Sequence, residues 1–439
     1  MKKVLIIAYF WPYRGGSGRV VGLAKYLPEF GWQPVILTAP LDEKPDPPFR
    51  VIEVPYHDTL SNILGFSKRL FWKILFGINP NEHIGRQIEK RFDTTSKKSF
   101  WAHMYDLHRA LYNFYGAIVK YPDSEKCWKP FAVKAGSELL QSEDIDAMIS
   151  IWPVTSHLIA KELKIKYKIP WIADYPDLWS QNHNYAYGPL RKQIDRRLEL
   201  KTLLSADALT TVSQPWAENL RALHKRESVY AITHGFDPDT LNTPLTDLTA
   251  KFTITYTGAI YRGKQEPSRL FAALNDLISN GTIDLDEVEV RFYGYVEEWL
   301  AREIEEYGLS SIVGLHGRVP LQIAFEKQRE SQLLLLLNWN ESEEKGVCPL
   351  KVYAYLAAQR PILATGGFGD DVVKKILDET GAGMYAPTVE NIKSILRELY
   401  REYKQKGEIS YNGNIEEINK YSHREMARKF AEALDRLER

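Results

Sequence analysis

The sequence predicts an α/β protein made of two facing Rossmann-like domains with a cleft between them, and three observations support this prediction. The chain has 439 residues, more than the roughly 250–300 at which a single hydrophobic core stops growing. Short apolar runs alternate with helical patterns along both halves, as in parallel sheets covered by helices. A glycine-rich turn follows the first apolar run of each half, at residues 15–18 and 258–263, as in nucleotide-binding βαβ units.

The composition excludes several classes of protein. Lys plus Arg and Asp plus Glu number 57 each, so the chain lacks the overall positive field that drives non-specific binding to nucleic acid. Its two cysteines, Cys127 and Cys348, are far apart and have no zinc-binding spacing. No apolar run approaches the about 18 residues that cross a bilayer. We therefore expect a cytoplasmic protein, soluble or peripheral on the inner face of the membrane, that binds no nucleic acid.

The first domain is predicted to span residues 1–236. Its opening βαβ unit consists of an apolar run at 4–10, a helical stretch to residue 30 and a second apolar run at 34–38. Gly16 belongs to the turn that follows the first run, where a backbone amide could approach an anion at a helix N-terminus. A turn without a ligand explains this spacing equally well. The later elements are predicted as strands at 147–151, 170–173 and 208–212, and helices at 152–163 and 189–204.

The second half repeats the α/β rhythm after a segment rich in Pro, Asp and Thr. Residues 237–250 are predicted to be a linker, residues 251–420 a nucleotide-sugar donor domain, and residues 421–439 a C-terminal helix that crosses back to the first domain. The donor domain is predicted to contain six strands, at 252–258, 288–294, 311–316, 332–339, 361–365 and 383–386.

Residues 60–130 interrupt the first domain with aromatic and basic side chains, among them Phe66, Lys68 and Trp72. One interpretation is that this insertion lies on an anionic membrane surface or beside a lipid-linked acceptor. The alternative is a helical flap whose Lys and Arg side chains extend their apolar stems along the protein.

A candidate diphosphate loop follows the first strand of the second domain. Gly258 ends that strand, and Arg262 and Lys264 come before the next helix. An arginine can hold phosphate oxygens with its planar fork while a lysine adds a compact charge, and together they can neutralise a departing diphosphate. The alternative is a solvated basic turn.

A second candidate loop leads from the apolar strand at 332–339 into a helix. Glu344 could accept hydrogen bonds from sugar hydroxyls, and the amides of Gly346 and Val347 could face phosphate near the helix N-terminus. Lys351 ends the loop, directly before the helix predicted at 352–358, and is a further candidate for contact with the nucleotide or sugar. The alternative is a charged surface loop.

Several motifs together resemble the retaining glycosyltransferases of family four. The run KGVCPLKVYAYLAAQRPILATG is similar to the donor-binding signature of that family, and YTGAIYRGK is similar to its diphosphate loop. RGGSGRVVGLAKYLPEFG, WIADYPDLW, ADALTTVS and HGFDPDTL resemble further segments of the family in the same order. The matches extend over nearly the whole chain, although each motif alone is loose.

This resemblance implies a glycosyltransferase-B fold, a nucleoside-diphosphate sugar as donor with a UDP-sugar favoured, and transfer with retention of anomeric configuration. It also implies that neither a metal nor a cofactor is required. In the family pattern Arg262 and Lys264 would hold the diphosphate, Glu344 and Gly346 would approach the sugar, and Gly16 would close on the donor. The implied acceptor is a glycan or a lipid-linked acceptor.

One position departs from the family pattern. A Glu that binds the ribose normally stands seven residues before the Pro of the following strand, and this position is Ala354 here. Ribose recognition would then be lost, rebuilt, or supplied by a neighbour such as Tyr353 or Lys351.

Asp174 and Asp177 follow a strand of the first domain, where its carboxyl end should face the ligand. A carboxylate there could orient an acceptor hydroxyl or accept its proton. A structural role as a helix cap or Asx-turn is the alternative, and it suits Asp177 better than Asp174.

Other carboxylate pairs and functions are less favoured. Three Asp-x-Asp pairs, at 144–146, 237–239 and 284–286, resemble a metal-binding motif but do not follow strands. A non-catalytic nucleotide-sugar-binding scaffold is the main rival to the transferase, because Ala354 replaces the expected Glu. A nucleotide-sugar epimerase is a weaker rival, because the insertion at 60–130 would then have no purpose.

Overall fold

The computed structural model describes residues 1–11, 18–41, 49–56, 118–182, 184–185, 187–244, 246–340, 345–367 and 369–437. Gly16, Glu344 and most of the insertion predicted at 60–130 lie outside these residues. The described residues form two sheets with helices between their strands, which confirms the predicted α/β class with two Rossmann-like sheets.

Among the described residues the first sheet has seven strands: β1 Lys2–Ala8, β2 Trp32–Thr38, β3 Arg50–Glu53, β4 Ala147–Ile151, β5 Trp171–Tyr175, β6 Ala208–Thr211 and β7 Val229–Ala231. Their order across the sheet is β3-β2-β1-β4-β5-β6-β7. The pairs β1–β4, β4–β5 and β2–β3 are parallel. Val4 to Ile7 of β1 are fully buried, as expected for a strand covered on both faces.

In the described part of the chain the second sheet has six strands: β8 Phe252–Thr257, β9 Val288–Tyr293, β10 Val313–Gly317, β11 Leu333–Leu337, β12 Ile362–Thr365 and β13 Gly383–Ala386. Their order across the sheet is β10-β9-β8-β11-β12-β13. All five neighbouring pairs are parallel.

Helices follow most strands, as the βα rhythm of the sequence predicts. Those up to β8 are α1 Arg19–Tyr26, α2 Lys129–Ser142, α3 Val154–Tyr167, α4 Pro189–Leu203 and α5 Gln214–His224. Those after β8 are α6 Ser268–Ser279, α7 Glu298–Glu306, α8 Leu321–Arg329, α9 Leu350–Ala358, α10 Val372–Thr380, α11 Val389–Lys406, α12 Ile415–Asn419 and α13 His423–Asp435. No helix among the described residues is both long enough and apolar enough to cross a membrane.

The chain divides into two compact units. The described residues of unit 1 come from Met1–Trp11 and Gln33–Leu209, and those of unit 2 from Pro12–Trp32 and Thr210–Leu437. Helix α13 belongs to unit 2, where it packs on α1 and where Gly18 and Gly22 leave space for the His423 ring. The segment predicted as a linker carries a short 3-10 turn, Pro238–Asn242.

In both sheets the strand order reverses next to the strand that comes first in sequence. The reversal lies between β1 and β4 in the first sheet and between β8 and β11 in the second. In open α/β sheets ligands bind outside the carboxyl ends of the strands at such a switch point. A ligand is therefore expected beside the segments that follow β1 and β4 or β8 and β11.

Candidate functional site

The segment after β8 forms a tight loop that exposes a cation. Gly258 has φ +114°, and its amide donates to the carbonyl of Tyr293 at 2.7 Å. Gly263 has φ +78° in the turn between Arg262 and Lys264. The Arg262 side chain is exposed and that of Lys264 is half-buried. Because glycine adopts positive φ without strain, the two glycines permit a loop that places both cations at the end of β8.

This loop is anchored to the segment after β11. The side-chain amide of Gln265 donates to the carbonyl of Leu337 at 3.0 Å, and the Asn340 amide donates to the carbonyl of Lys264 at 3.1 Å. Tyr261 stacks on Trp339 with ring centroids 5.1 Å apart, and the Lys264 ammonium lies 5.6 Å from the Trp339 ring centroid. These contacts bring the two loops of the switch point together and limit the motion of Lys264.

Lys351 is a third cation in the same place. Its ammonium donates to the carbonyl of Ala259 at 3.2 Å and lies 4.9 Å from the centroid of the Tyr256 ring. A Cβ atom at Gly258 would lie 2.6 Å from Cε of Lys351, so the glycine makes room for this side chain. Burial lowers the pKa of Lys351 to about 8. Among the described residues no carboxylate pairs with it, so an anion placed beside it would offset the cost of its burial.

The loop carrying Gly346 and Val347 is fixed by two residues near the start of α5. Ser213 Oγ donates to the Gly346 carbonyl at 2.7 Å. A Cβ atom at Gly346 would lie 2.2 Å from Cδ1 of Trp216, so the backbone rests directly on the indole ring. Sequence reasoning found Gly346 but neither of these partners, because they lie far away along the chain.

A cluster of buried polar atoms, which the sequence did not reveal, follows β11 and β12. Asn338 Nδ2, Asn340 Oδ1 and Thr365 Oγ1 are buried and form no hydrogen bond with the described residues. A Cβ atom at Gly366 would lie 2.7 Å from Asn340 Oδ1, and one at Gly367 would lie 2.6 Å from Asn338 Nδ2. A buried polar atom without a partner costs free energy, so this cluster suits a ligand that carries hydroxyl groups.

The residues around Ala354 limit how a ribose could be held. Ala354 is half-buried and offers no polar atom. Tyr353 is fully buried, and its hydroxyl lies 3.2 Å from Cys348 Sγ. Of the two suggested substitutes for the missing Glu, Lys351 is therefore the one that reaches the loop after β8.

In unit 1 the two predicted carboxylates differ in accessibility. Asp174 lies in β5 opposite Ile151 of β4 and is fully buried. The Asp177 side chain reaches solvent, although the protein around it raises the pKa of its carboxyl by desolvation. Asp177 is thus the carboxylate that a solute can contact in this structure.

Unit 1 also contains a cavity of about 400 Å³ at the switch point of its sheet. Phe10 follows β1 and Trp152 follows β4, so the cavity lies where the rule for α/β sheets places a ligand. Aromatic rings and polar groups alternate along its wall, a lining that suits a sugar ring with its hydroxyls. The wall residues include Phe10, Asp123, Glu125, Trp152, Trp179, Asn182 and Tyr185.

Two carboxylates of this cavity were missed by the sequence analysis, because they lie in the segment interpreted as an insertion. Asp123 accepts hydrogen bonds from the Thr155 amide at 2.6 Å and from the Thr155 hydroxyl at 2.5 Å. Desolvation raises the pKa of Asp123, and desolvation together with the charge of Asp123 raises that of Glu125. Perturbed carboxylates in a concave site are typical of ligand-binding centres.

The structure brings Gly258, Arg262, Lys264 and Lys351 together in unit 2, with Gly346 and Val347 on the loop that leads to α9. Asp174 and Asp177 lie in unit 1, and Gly16 and Glu344 lie outside the described residues. The cation cluster of unit 2 can neutralise a diphosphate. The polar atoms after β11 and β12 can bind hydroxyl groups.

The two parallel sheets and their switch-point loops place this chain in the glycosyltransferase-B class of folds. The lipopolysaccharide outer core galactosyltransferase WaaB in its apo form has a TM-score of 0.56 and 13% identity, covering 99% of each chain. Sucrose-phosphate synthase from Thermosynechococcus elongatus has a TM-score of 0.55 and 13% identity, covering 100% of this chain and 95% of that one. A mutant of S. aureus TarM in complex with fondaparinux, alpha-GlcNAc-glycerol and UDP has a TM-score of 0.54 and 9% identity, covering 99% and 100%.

A scan against protein families matches none, and a search of curated proteins finds no match. At these identities the likeness to the solved structures establishes the fold.

Proposed function

We propose that the protein is a glycosyltransferase that moves a sugar, a hexose or a related one, from a nucleoside-diphosphate sugar to a glycan or lipid-linked acceptor. The observation that carries this proposal is the position of Lys351. It is a half-buried cation without a carboxylate partner among the described residues, held against the Gly258–Ala259 backbone. Arg262 and Lys264 follow on the same loop. Three cations at the switch point of a parallel sheet suit a diphosphate.

Group transfer breaks the bond between the anomeric carbon and a diphosphate oxygen, and forms a bond from that carbon to the oxygen of an acceptor hydroxyl. The hydroxyl proton passes to the departing diphosphate or to water. The nucleoside diphosphate leaves with additional negative charge. The cations that hold it in the ground state stabilise this charge in the transition state, and a preorganised site makes this effect large. The chemistry is therefore proposed to depend on Arg262, Lys264 and Lys351, and metal independence is proposed from the motif resemblance.

Asn338, Asn340 and Thr365 are proposed to bind hydroxyl groups of the donor sugar. Their buried polar atoms lack hydrogen-bond partners among the described residues, so sugar hydroxyls would satisfy them. A site built to hydrogen-bond hydroxyls discriminates strongly against analogues that lack them. These residues are thus proposed to select the sugar.

For the acceptor we propose the cavity of unit 1. Its aromatic and carboxylate lining fits a sugar ring, and Asp177, which precedes the wall residues Leu178 and Trp179, is proposed to orient the acceptor hydroxyl. UDP is the favoured nucleotide, because TarM, which has the same fold, was solved with UDP. Retention of configuration is proposed from the motif resemblance.

The test is turnover of UDP-sugars with and without glycan or lipid-linked acceptors, followed by measuring UDP release and the labelled product. The transferase predicts UDP release that increases with acceptor and a sugar–acceptor product. Ala354 favours a second candidate, a non-catalytic scaffold, which would bind the donor and leave it intact. An epimerase would convert the donor sugar without any acceptor.

A further inference from the structure

Helix α4 of unit 1 directs three of its charged residues, Arg191, Asp195 and Glu199, inward. Arg191 Nε donates to Asp195 Oδ1 at 2.9 Å, and the Arg191 guanidinium lies 4.6 Å from the ring centroids of Tyr121 and of Tyr187. Glu199 accepts a hydrogen bond from the Ser180 amide at 3.0 Å. Because these polar contacts fix the rotation of the helix, its opposite side is held toward solvent.

That opposite side carries four large apolar residues. Leu190 is 73% exposed, Ile194 40%, Leu200 37% and Leu204, directly after the helix, 84%. A surface helix of a globular protein normally buries its apolar side. Exposed apolar residues gathered on one surface mark an interaction site, so this side of α4 is a candidate docking surface.

Cations are interspersed among these apolar residues. Lys192, Arg196, Arg197 and Lys201 are exposed, and none of the four forms an ion pair with any described residue. The only acidic residues of α4, Asp195 and Glu199, are buried. We call the exposed side of α4 the outer face, defined by these four cations together with Leu190, Ile194, Leu200 and Leu204.

The neighbouring helix α3 adds positive charge. Lys161 Nζ donates to the Lys201 carbonyl at 3.0 Å. Burial, then the charges of Lys201 and Lys129, lower the pKa of Lys161. The acidic groups nearby are paired elsewhere, since Glu162 contacts Lys129 at 2.5 Å and Asp207 contacts Lys164 at 2.7 Å. The outer face is therefore cationic as well as apolar.

We propose that the outer face of α4 docks on the surface of a membrane that contains anionic phospholipids. An anionic lipid surface takes both kinds of side chain, since cations attract the headgroups and leucines enter the boundary with the acyl chains. A nucleic acid would leave the four apolar residues in water. The helix, about 22 Å long at 1.5 Å per residue, would lie in the plane of the interface.

This inference goes beyond the proposed function and does not depend on it. It rests on residues of α4, whereas the sequence assigned membrane contact to the insertion at 60–130. If the proposed function and the docking of α4 both hold, the docked helix brings unit 1 to lipid-linked acceptors.

The test is flotation of the full chain with vesicles made of equal parts phosphatidylglycerol and phosphatidylcholine. The variant Arg196→Gln/Arg197→Gln is compared with Arg397→Gln/Arg401→Gln, which removes two exposed arginines from α11 that form no ion pair with a described residue. Each basic residue near an anionic surface contributes about 1 kcal/mol. The α4 variant should therefore bind roughly 30-fold more weakly, while the α11 variant binds like the wild type.

A second pair of variants tests the apolar residues. Leu190→Ser/Leu204→Ser should lower binding on the order of tenfold. Leu285→Ser/Leu321→Ser, which changes two exposed leucines of unit 2, should not. Vesicles of phosphatidylcholine alone should bind little protein, and salt should weaken binding to the mixed vesicles.

Three outcomes would overturn the proposal. The first is that the wild type fails to float with the mixed vesicles. The second is that the α4 variants float as well as the wild type, which would assign docking to another segment. The third is a dimer, seen by sedimentation without lipid and dissociated by Leu190→Ser/Leu204→Ser, which would make the outer face an interface between two copies of the chain.

Discussion

At the scale of single residues, the proposed role of Lys351 predicts that donor binding depends on pH. Its pKa is lowered by burial to about 8, so in the free protein the ammonium loses its proton as the pH rises above that value. A bound diphosphate favours the charged form and raises this pKa. Between the two pKa values binding must take up a proton, and affinity falls as the pH rises.

We expect the Kd for UDP to increase above about pH 8 by up to roughly tenfold per pH unit, until the pKa of the bound state is reached. The second ionisation of a phosphate monoester lies near about pH 6, so the ligand is already fully ionised in this range. Calorimetric titrations from about pH 7 to pH 10 measure the slope. In Lys351→Met binding should be weaker and independent of pH, and an unchanged slope would remove Lys351 from the site.

The same group affects stability with a defined sign. Between about pH 8 and the unfolded pKa of 10.5, the unfolded chain holds more protons at Lys351 than the folded chain does. The contribution of Lys351 to the free energy of unfolding therefore rises with pH in this window, and it is lost as the pH falls through about 8.

The substitution Gly346→Ala tests whether the contact with Trp216 positions the loop that carries Gly346 and Val347. In Gly346→Ala the new Cβ would lie 2.2 Å from Trp216 Cδ1, and relieving such overpacking typically costs about 1–3 kcal/mol. We expect a lower melting temperature or a weaker affinity for UDP. The control Gly188→Ala places its Cβ in open space and has no positive φ, so it should retain both properties. A Gly346→Ala variant that is also unchanged would show that the loop tolerates the clash.

Thr365 and Thr380 form a matched pair of buried hydroxyls. Thr365 Oγ1 has no hydrogen-bond partner among the described residues, whereas Thr380 Oγ1 donates to the Ile376 carbonyl at 2.6 Å. Thr365→Val should leave the free energy of unfolding unchanged or raise it by up to about 1 kcal/mol, and Thr380→Val should lower it by about 1 kcal/mol.

The same two variants separate binding of the sugar from binding of the nucleotide. Thr365→Val should weaken binding of a UDP-sugar more than binding of UDP, and Thr380→Val should not change the ratio between the two. Equal losses for UDP and UDP-sugar in Thr365→Val would assign the buried hydroxyl to a structural role.

At the scale of elements, residues other than Arg262 and Lys264 anchor the loop between β8 and α6. The Gly258 amide donates to the Tyr293 carbonyl, and the side-chain amide of Gln265 donates to the Leu337 carbonyl. Removing both side chains should therefore leave the loop folded while it loses its charge.

For Arg262→Ala/Lys264→Ala we expect kcat/KM to fall at least about 100-fold, because hydrogen bonds to charged groups contribute about 1.5–3 kcal/mol each. The melting temperature should stay close to that of the wild type. The control Arg397→Ala/Arg401→Ala removes two exposed arginines of α11 and should retain activity. Wild-type turnover in the loop variant would exclude this loop from catalysis.

The elements were predictable where burial leaves a continuous apolar run. The runs predicted at 332–339 and 252–258 correspond to β11, Leu333–Leu337, and β8, Phe252–Thr257. Parallel strands covered on both faces have such continuous apolar sequences. The ends shifted by one or two residues, because apolar side chains such as Trp339 continue beyond the hydrogen-bonded ladder.

Contacts between residues far apart in sequence were not predictable. The helix at 189–204 was recognised, but its periodicity does not show that Arg191, Asp195 and Glu199 face inward. That orientation depends on Tyr121, Tyr187 and Ser180. Likewise the position of Asp123 in the cavity wall depends on its hydrogen bonds to Thr155 of α3. No sequence pattern shows whether a buried hydroxyl, such as that of Thr365, has a hydrogen-bond partner.

At the scale of the whole molecule, we infer that unit 2 binds a nucleoside diphosphate through the cations beside β8. A ligand that binds only the folded state raises the melting temperature according to its concentration and Kd. The fold alone does not decide this, because one fold serves many activities. The cation cluster assigns the proposed binding to Arg262, Lys264 and Lys351.

The most direct measurement is calorimetric titration of UDP, GDP and ADP into the wild type and into Arg262→Ala/Lys264→Ala. The account predicts that one nucleotide, with UDP favoured, binds the wild type and loses at least about 100-fold in affinity in the variant. Absence of binding by any of the three, or equal affinity in the variant, would contradict it.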